Sequence, residues 1–256
     1  MIKPTFSVSK IQLYLECPYK YYLRYITKTL PDRISYHLQL GLSFSDILEE
    51  IYYNSDIYNN ITEEDIDVLC STFWVPKQLK EKFTLAKQET WKFLNYPSLA
   101  EENLQKIALR NYLREYLKTY GLEKPFGVEL DLTQDFGDFI FTGRADIVLF
   151  VRGKGLKVYD NKLGETQYSL ENNLQLSMYT IALQRKYKLP VKEVGLRYIK
   201  QNKADYISTS ELNLEECFNT FLSTIENIKK ERFSKTPNRY CKYCGGCEYT
   251  NAESLL

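Results

Sequence analysis

Two short segments combine acidic and basic residues in an order that can do chemistry: Gly143-Arg-Ala-Asp146 and Val158-Tyr-Asp160-Asn-Lys162-Leu-Gly164. In an extended strand, residues two apart share a face, so Asp160 and Lys162 project to one side. A neighbouring strand carrying Asp146 would bring two carboxylates and an ammonium together. Two carboxylates alone repel, and one of them takes up a proton. A hard divalent cation such as Mg2+ or Mn2+ removes that conflict, because it prefers oxygen ligands. It can acidify a water for attack on a phosphodiester, while Lys162 helps to stabilise charge developing on the phosphate. A third segment, Gln175-Leu-Ser-Met-Tyr179, places two polar side chains four apart on one helix face, where they can hold a phosphate or orient the lysine. Each piece alone is ordinary: an Asp-x-Lys is usually a solvated pair, Asp146 can be a turn residue, and a helical Gln/Tyr pair is usually packing. Their joint order is far less so.

Cysteines suggest a second centre. Of the six, Cys241-Lys-Tyr-Cys244-Gly-Gly-Cys247 forms two overlapping CxxC turns. Outside a secretory context this spacing favours a metal site over disulfides, and structural sites usually want a fourth thiolate from elsewhere. Cys70 and Cys217 fall on apolar helical faces and read as core. The single histidine, His37, excludes a two-His zinc site.

The elements that position these groups are legible from periodicity. Ser9 is the expected cap of a first helix through Ile11, Tyr14 and Leu15, interrupted at Cys17-Pro18. Helices follow over Leu38 to Ile51, Lys77 to Leu94 and Ser98 to Tyr120, with capping boxes at Thr62–Asp65 and Ser98–Glu101. After Pro125 the pattern changes to strands at Val128–Leu132, Phe139–Thr142, Ala145–Val151 and Leu156–Asn161, with a hairpin turn at Arg152-Gly-Lys-Gly155. A helix over Leu170–Tyr187, strands at Val191–Lys200 and Asp205–Ser210, and a helix from Leu214 to about Lys230 complete an α/β chain with a helical N-terminal half.

Composition narrows the classes. The 256 residues hold 34 Lys+Arg and 33 Asp+Glu, so any contact with a polyanion must come from a local patch. Lys20, Arg24 and Lys28 recur at four-residue spacing among Tyr19, Tyr21, Tyr22 and Tyr25. Cations there can meet phosphates and rings can stack on unpaired bases; the bland reading is an amphipathic helix with a tyrosine-rich core face. No apolar run approaches the roughly 18–20 residues of a membrane span. Met1-Ile2-Lys3-Pro4 leads into no hydrophobic stretch, so a cytoplasmic protein without a secretory signal is expected.

These motifs together resemble the PD-(D/E)XK nuclease superfamily in its RecB-like branch, which includes stand-alone RecB-type and CRISPR-associated Cas-four-like iron–sulfur exonucleases. The likeness spans the chain, from Ser7-Val-Ser9 through Cys17-Pro18-Tyr-Lys-Tyr21 to the cysteine tail. It implies a restriction-endonuclease-like core, a mixed central sheet flanked by helices, over residues 126–232. Residues 1–125 would form a helical region that walls the DNA channel and supplies the first cluster cysteine, and 233–256 a cysteine-cluster tail, all in one compact unit. By resemblance, Asp146, Asp160 and the backbone carbonyl of Asn161 hold Mg2+ or Mn2+, and Lys162 is the catalytic lysine. Glu129, Gln175 and Tyr179 support the site, and Lys20, Tyr21, Arg24 and Lys28 contact DNA. Cys17, Cys241, Cys244 and Cys247 would hold a [4Fe–4S] cluster, with zinc as the rival, although the last gap is shorter than the family's usual one.

The implied activity is a metal-dependent DNase on single-stranded DNA, 5′ to 3′ exonuclease favoured, with endonuclease activity also known in the family. Repair, recombination, mobile-element metabolism and CRISPR adaptation are the expected settings, with a helicase or integrase as partner. One departure motivates an alternative. Ser45, four residues after Gly41, stands where the family carries a metal-binding His. His37 lies two turns upstream, and Asp46 or Glu49 could supply a carboxylate instead. The alternative is a catalytically impaired DNA-binding or complex-forming subunit of the same fold.

Overall fold

The computed structural model describes residues 3–30, 36–121, 124–164, 166–238, 241 and 247. In chain order these form β1 (Thr5–Phe6), α1 (Val8–Glu16), α2 (Pro18–Tyr21) and a π-type turn over Tyr22–Ile26, then α3 (Tyr36–Tyr53), α4 (Glu63–Thr72), α5 (Lys80–Ala86), α6 (Thr90–Phe93) and α7 (Leu99–Tyr120). Next come β2 (Gly127–Asp131), β3 (Gln134–Asp135), β4 (Ile140–Phe141), β5 (Arg144–Val151) and β6 (Gly155–Lys162). The chain continues through α8 (Leu174–Tyr187), β7 (Val191–Tyr198), β8 (Lys203–Ser208) and α9 (Leu214–Lys229).

Among the described residues the central sheet runs β2-β5-β6-β7-β8. All neighbours are antiparallel except β6 and β7, which are parallel and joined by the α8 crossover. A small second sheet, β1-β4-β3, ties the start of the chain to the β4 strand.

Strand alternation sends successive side chains to opposite faces, and each face has its own core. Val148 and Val158 join Ile11, Leu176, Met178 and Phe221 beneath α1, α8 and α9. Ile147 and Tyr159 join Phe44, Ile47, Leu69 and Leu113 beneath α3, α4 and α7. The β5–β6 hairpin closes with Val151 opposite Gly155, whose φ of 112° and close approach to the Pro190 carbonyl leave no room for a Cβ.

Local chemistry fixes several boundaries. Thr62 and Asp65 cap α4 reciprocally, Ser98 caps α7, and Pro18 opens α2 at the break after Cys17. Several expectations change, three of them in helices. The first helix is capped by Ser7, whose hydroxyl accepts from the Lys10 N–H, so it starts earlier than a Ser9 cap implies. The stretch Lys77 to Leu94 is not one helix. A 3-10 turn leads into α5, which ends where Lys87 turns left-handed at φ 48°, before the separate short α6. The crossover helix begins at Leu174 rather than Leu170, because the Asn173 side chain accepts from the N–H groups of Gln175 and Leu176.

Candidate active site

Sheet register assembles the acidic residues. Val128 pairs Ile147 and Leu130 pairs Ala145, which sets Glu129 opposite Asp146. Ile147 pairs Tyr159, and one step further Asp146 stands opposite Asp160. Three carboxylates therefore lie in one row across β2, β5 and β6, with Lys162 two residues beyond Asp160 on the same side. Glu129 adopts φ 45°, a left-handed conformation that costs a non-glycine residue about 1–3 kcal/mol. Strain of that kind clusters at functional sites.

Gln175, in the first turn of α8, is the hub of the polar network. Its Nε2 donates to Asp160 Oδ1 at 2.7 Å and to the Tyr179 hydroxyl at 2.9 Å. Its Oε1 accepts from Lys162 Nζ at 2.9 Å. Lys162 Nζ also lies 2.6 Å from Asp160 Oδ2, and Asp160 is only 3% exposed. The Asn161 N–H donates to Asp146 Oδ2 at 2.7 Å. Ser45 of α3 hydrogen-bonds the Glu129 carboxylate, and Arg144 approaches it at 3.7 Å.

The electrostatics are those of an acidic cluster short of positive charge. Loss of water raises the Asp146 carboxyl well above the usual range, and the nearby Asp160 and Glu129 raise it further. Burial likewise raises Glu129, with the Ser45 hydrogen bond and Arg144 pulling the other way. Burial alone would lower Lys162, but Asp160 beside it leaves the ammonium more basic than usual.

The donor set of Glu129, Asp146 and Asp160 is hard oxygen and suits Mg2+ or Mn2+. Asp160 Oδ2 is buried, and the Lys162 ammonium 2.6 Å away is the charge it meets there. As the side chains stand, no group of three or more His, Cys, Asp or Glu among the described residues is gathered tightly enough to hold an ion. Each carboxylate has been drawn to its own donor: Asp160 to Lys162 and Gln175, Asp146 to the Asn161 N–H, and Glu129 to Ser45 and Arg144.

Beside the row lies a groove of about 460 Å³ bordered by Ser7, Ser9, Thr142, Arg144, Gln175 and Tyr179. Its floor is Gly143, where a Cβ would meet the Phe141 ring at 2.9 Å and the Tyr179 ring at 3.3 Å. Arg144 and Tyr168 are site residues that sequence reasoning passed over. Tyr168 sets its ring 5.8 Å from Lys162 Nζ and donates its N–H to the Tyr198 hydroxyl. The signal for Arg144 was its place two before Asp146 on the same strand face; no signal marks Tyr168.

The basic stretch near the start does not keep the arrangement that its four-residue spacing implies. Tyr21 is 4% exposed and packs on Tyr14, Tyr25 and Phe233, so it is core rather than a stacking platform. Lys20 is paired with Glu16 at 2.8 Å. Arg24 sits in the π-type turn, where the Thr27 N–H reaches back five residues to Tyr22; a four-residue spacing no longer keeps one face there. Lys28 follows, exposed, with φ 56°.

Cys17, Cys241 and Cys247 line one small cavity with Lys20 and Asn238, while Cys244 lies outside the described residues. Cys241 Sγ accepts from the Asn238 N–H at 3.2 Å. Cys70 and Cys217 are buried, as their apolar faces imply. No helix among the described residues is long and apolar enough to cross a membrane.

A family model described as the PD-(D/E)XK nuclease superfamily matches residues 5–252. No curated protein matches the chain. Solved structures do, among them one described as "Crystal structure of SSO0001", with 17% identity, 78% of this chain and 99% of that chain covered, and a TM-score of 0.37, too loose a superposition to carry an argument.

Proposed function

Because the chain belongs to the PD-(D/E)XK nuclease superfamily, whose members cleave phosphodiesters, we propose that it is a Mg2+- or Mn2+-dependent deoxyribonuclease acting at the Glu129–Asp146–Asp160 row. The observation that carries this reading is the alignment of three carboxylates with Lys162, held by Gln175 and Tyr179. A divalent ion held by Asp146, Asp160 and Glu129 would supply positive charge to a bound phosphodiester and acidify water there. Lys162 stabilises charge developing on the phosphate, and its basicity keeps it cationic. Gln175 fixes the lysine and Asp160 in one network, so the amine is preorganised rather than swinging. The hydroxyl-lined groove beside Arg144 gives a strand backbone its path.

Degradation of labelled single-stranded DNA with Mn2+ tests this. Lys162→Ala should lower the rate by about 10²-fold or more while leaving folding intact; equal degradation by both proteins overturns the assignment. The motif likeness favours single-stranded DNA and a 5′ to 3′ direction, and end-labelled substrates of each polarity test both.

We further propose that Cys17, Cys241, Cys244 and Cys247 hold a [4Fe–4S] cluster, with zinc as the rival. Three of the four line one cavity, and the N–H donated to Cys241 suits a thiolate. Anaerobically purified protein should be brown and absorb near about 400 nm; a colourless protein that reconstitutes no iron overturns the cluster.

One observation favours a second reading, an impaired subunit that binds DNA without cutting it. Ser45 offers no imidazole and instead occupies Glu129. Ser45→His separates the two: it should raise Mn2+ affinity and turnover if position 45 borders the ion.

A further inference from the structure

Away from the carboxylate row, the helical half encloses a cavity of about 550 Å³ between α4, α5, α6 and α7. That volume lies within the range of small-molecule sites. Its walls combine two chemistries. Phe83 offers a half-buried ring beside the buried Trp74, whose ring stacks on Tyr96 and carries Lys106 Nζ 5.3 Å from its centre, and Lys80, Lys106 and Arg110 converge on the same space. Thr84 and Thr90 add hydroxyls at the rim.

The cations are held but not used up. Lys106 pairs with Glu102 at 3.2 Å, and Glu102 is fully buried behind the wall, where it also accepts from Trp74 Nε1 at 2.7 Å. Arg110 commits its Nε to Asp67, 2.5 Å away, which leaves its two terminal amino groups as donors. Lys80 lies over the Phe73 ring at 5.1 Å and forms no ion pair among the described residues. Two carboxylates therefore pair with two of the three cations, and Lys80, which feels the Asp46 carboxylate without an ion pair, is the third.

The wall is also fixed in advance. The Trp74 carbonyl accepts from Gln39 Nε2 at 2.6 Å and from the Ser43 hydroxyl at 3.0 Å, and Gln39 in turn takes the Tyr96 hydroxyl at 2.6 Å. A buried polar network of this kind holds the aromatic floor rigid, so a ligand meets a preformed site.

We propose that this cavity is a nucleotide-binding site separate from the carboxylate row, taking one base against Phe83 and one phosphate at Lys80, Lys106 and Arg110. A flat base matches the Phe83 ring. A phosphate monoester, at about −1.5 to −2 near neutral pH, matches the three converging cations and the guanidinium donors better than a neutral aromatic would. The nucleotide is either a free mononucleotide or the 5′-phosphorylated end of a strand. The inference does not depend on the nuclease reading, because binding is measured without turnover.

Calorimetric titration of the full chain in EDTA with dTMP, thymidine and inorganic phosphate provides the test. The expected result is that dTMP binds at least about tenfold tighter than either fragment. Lys80→Glu and the cavity-filling Thr84→Trp, both on exposed residues, should each weaken dTMP about tenfold or more with unchanged circular dichroism. Asp160→Asn should bind dTMP as the wild type does. A 5′-phosphorylated oligothymidylate that competes with dTMP assigns the site to a strand end, and one that fails to compete assigns it to the free nucleotide. No dTMP binding at millimolar concentration overturns the proposal, as does equal binding by Lys80→Glu and Thr84→Trp, or loss of binding in Asp160→Asn. Failure of the nuclease reading shows separately, as absence of DNA cleavage by a protein that still binds dTMP.

Discussion

Asp160 and Arg197 are charged, nearly inaccessible residues on neighbouring strands of one sheet, and their surroundings differ in kind. Arg197, 6% exposed, lies in a cage of tyrosines on the α7 side. Its guanidinium donates to the Tyr116 hydroxyl at 3.1 Å and lies 3.9 Å and 4.3 Å from the ring centres of Tyr120 and Tyr159. That cation is dispersed over aromatic faces and needs no ligand. Asp160, 3% exposed, faces two more carboxylates, and Lys162 is the only ammonium ion-paired with it among the described residues. One buried charge serves the fold; the other is held at the fold's expense, as a site kept ready for a cation would be.

Five measurements sharpen or break that contrast, beginning with the largest effect. Asp160→Asn should lower DNA cleavage by about 10³-fold, roughly 4 kcal/mol of transition-state stabilisation, with little change in stability. Retained cleavage would remove Asp160 from the reaction. Arg197→Ala should do the reverse, lowering unfolding free energy in urea by about 3 kcal/mol while cleavage per folded molecule stays constant. Arg197→Lys should recover little of that loss, since an ammonium lacks the planar face. Asp146→Asn, whose amide oxygen can still accept the Asn161 N–H, should stabilise the metal-free protein by about 1 kcal/mol, or about 2–4 °C in Tm, while removing activity.

The smallest effect is in pH. Asp146 and Glu129 have folded-state carboxyls raised above their unfolded values, so the folded protein binds more protons than the unfolded chain. Stability from these groups is therefore lost as pH rises through the folded values and regained as it falls. Between about pH 7 and pH 5 the metal-free wild type should gain on Asp146→Asn in thermal melts. A constant difference would mean that the carboxylates are not in conflict.

Much of the site is visible in the amino-acid order because it depends on short periods. Asp160 and Lys162 share a face by the two-residue strand repeat, and Gln175 and Tyr179 by the helical turn; both pairs meet as those periods require. What stays hidden depends on distant partners or on backbone geometry. Nothing near Glu129 announces its left-handed φ or that Ser45, from α3, would reach its carboxylate. The apolar pattern of Lys77 to Leu94 continues through the point where Lys87 breaks the helix, since hydrophobic spacing does not register a reversal of φ. Tyr21 shows the limit of residue type: a tyrosine suits a stacking surface and a core equally, and only packing decides.

The far end of the chain is stitched to its beginning. Tyr14 donates its hydroxyl to the Arg232 carbonyl, the Tyr19 N–H reaches the Ser234 carbonyl, and Phe233 sits against Tyr21 and Tyr22. The helix so anchored carries Ser7 and Ser9 to the rim of the groove beside Gln175. A nonsense mutation just after Arg232 would delete no residue of the carboxylate row, yet its phenotype should resemble a lesion in that groove.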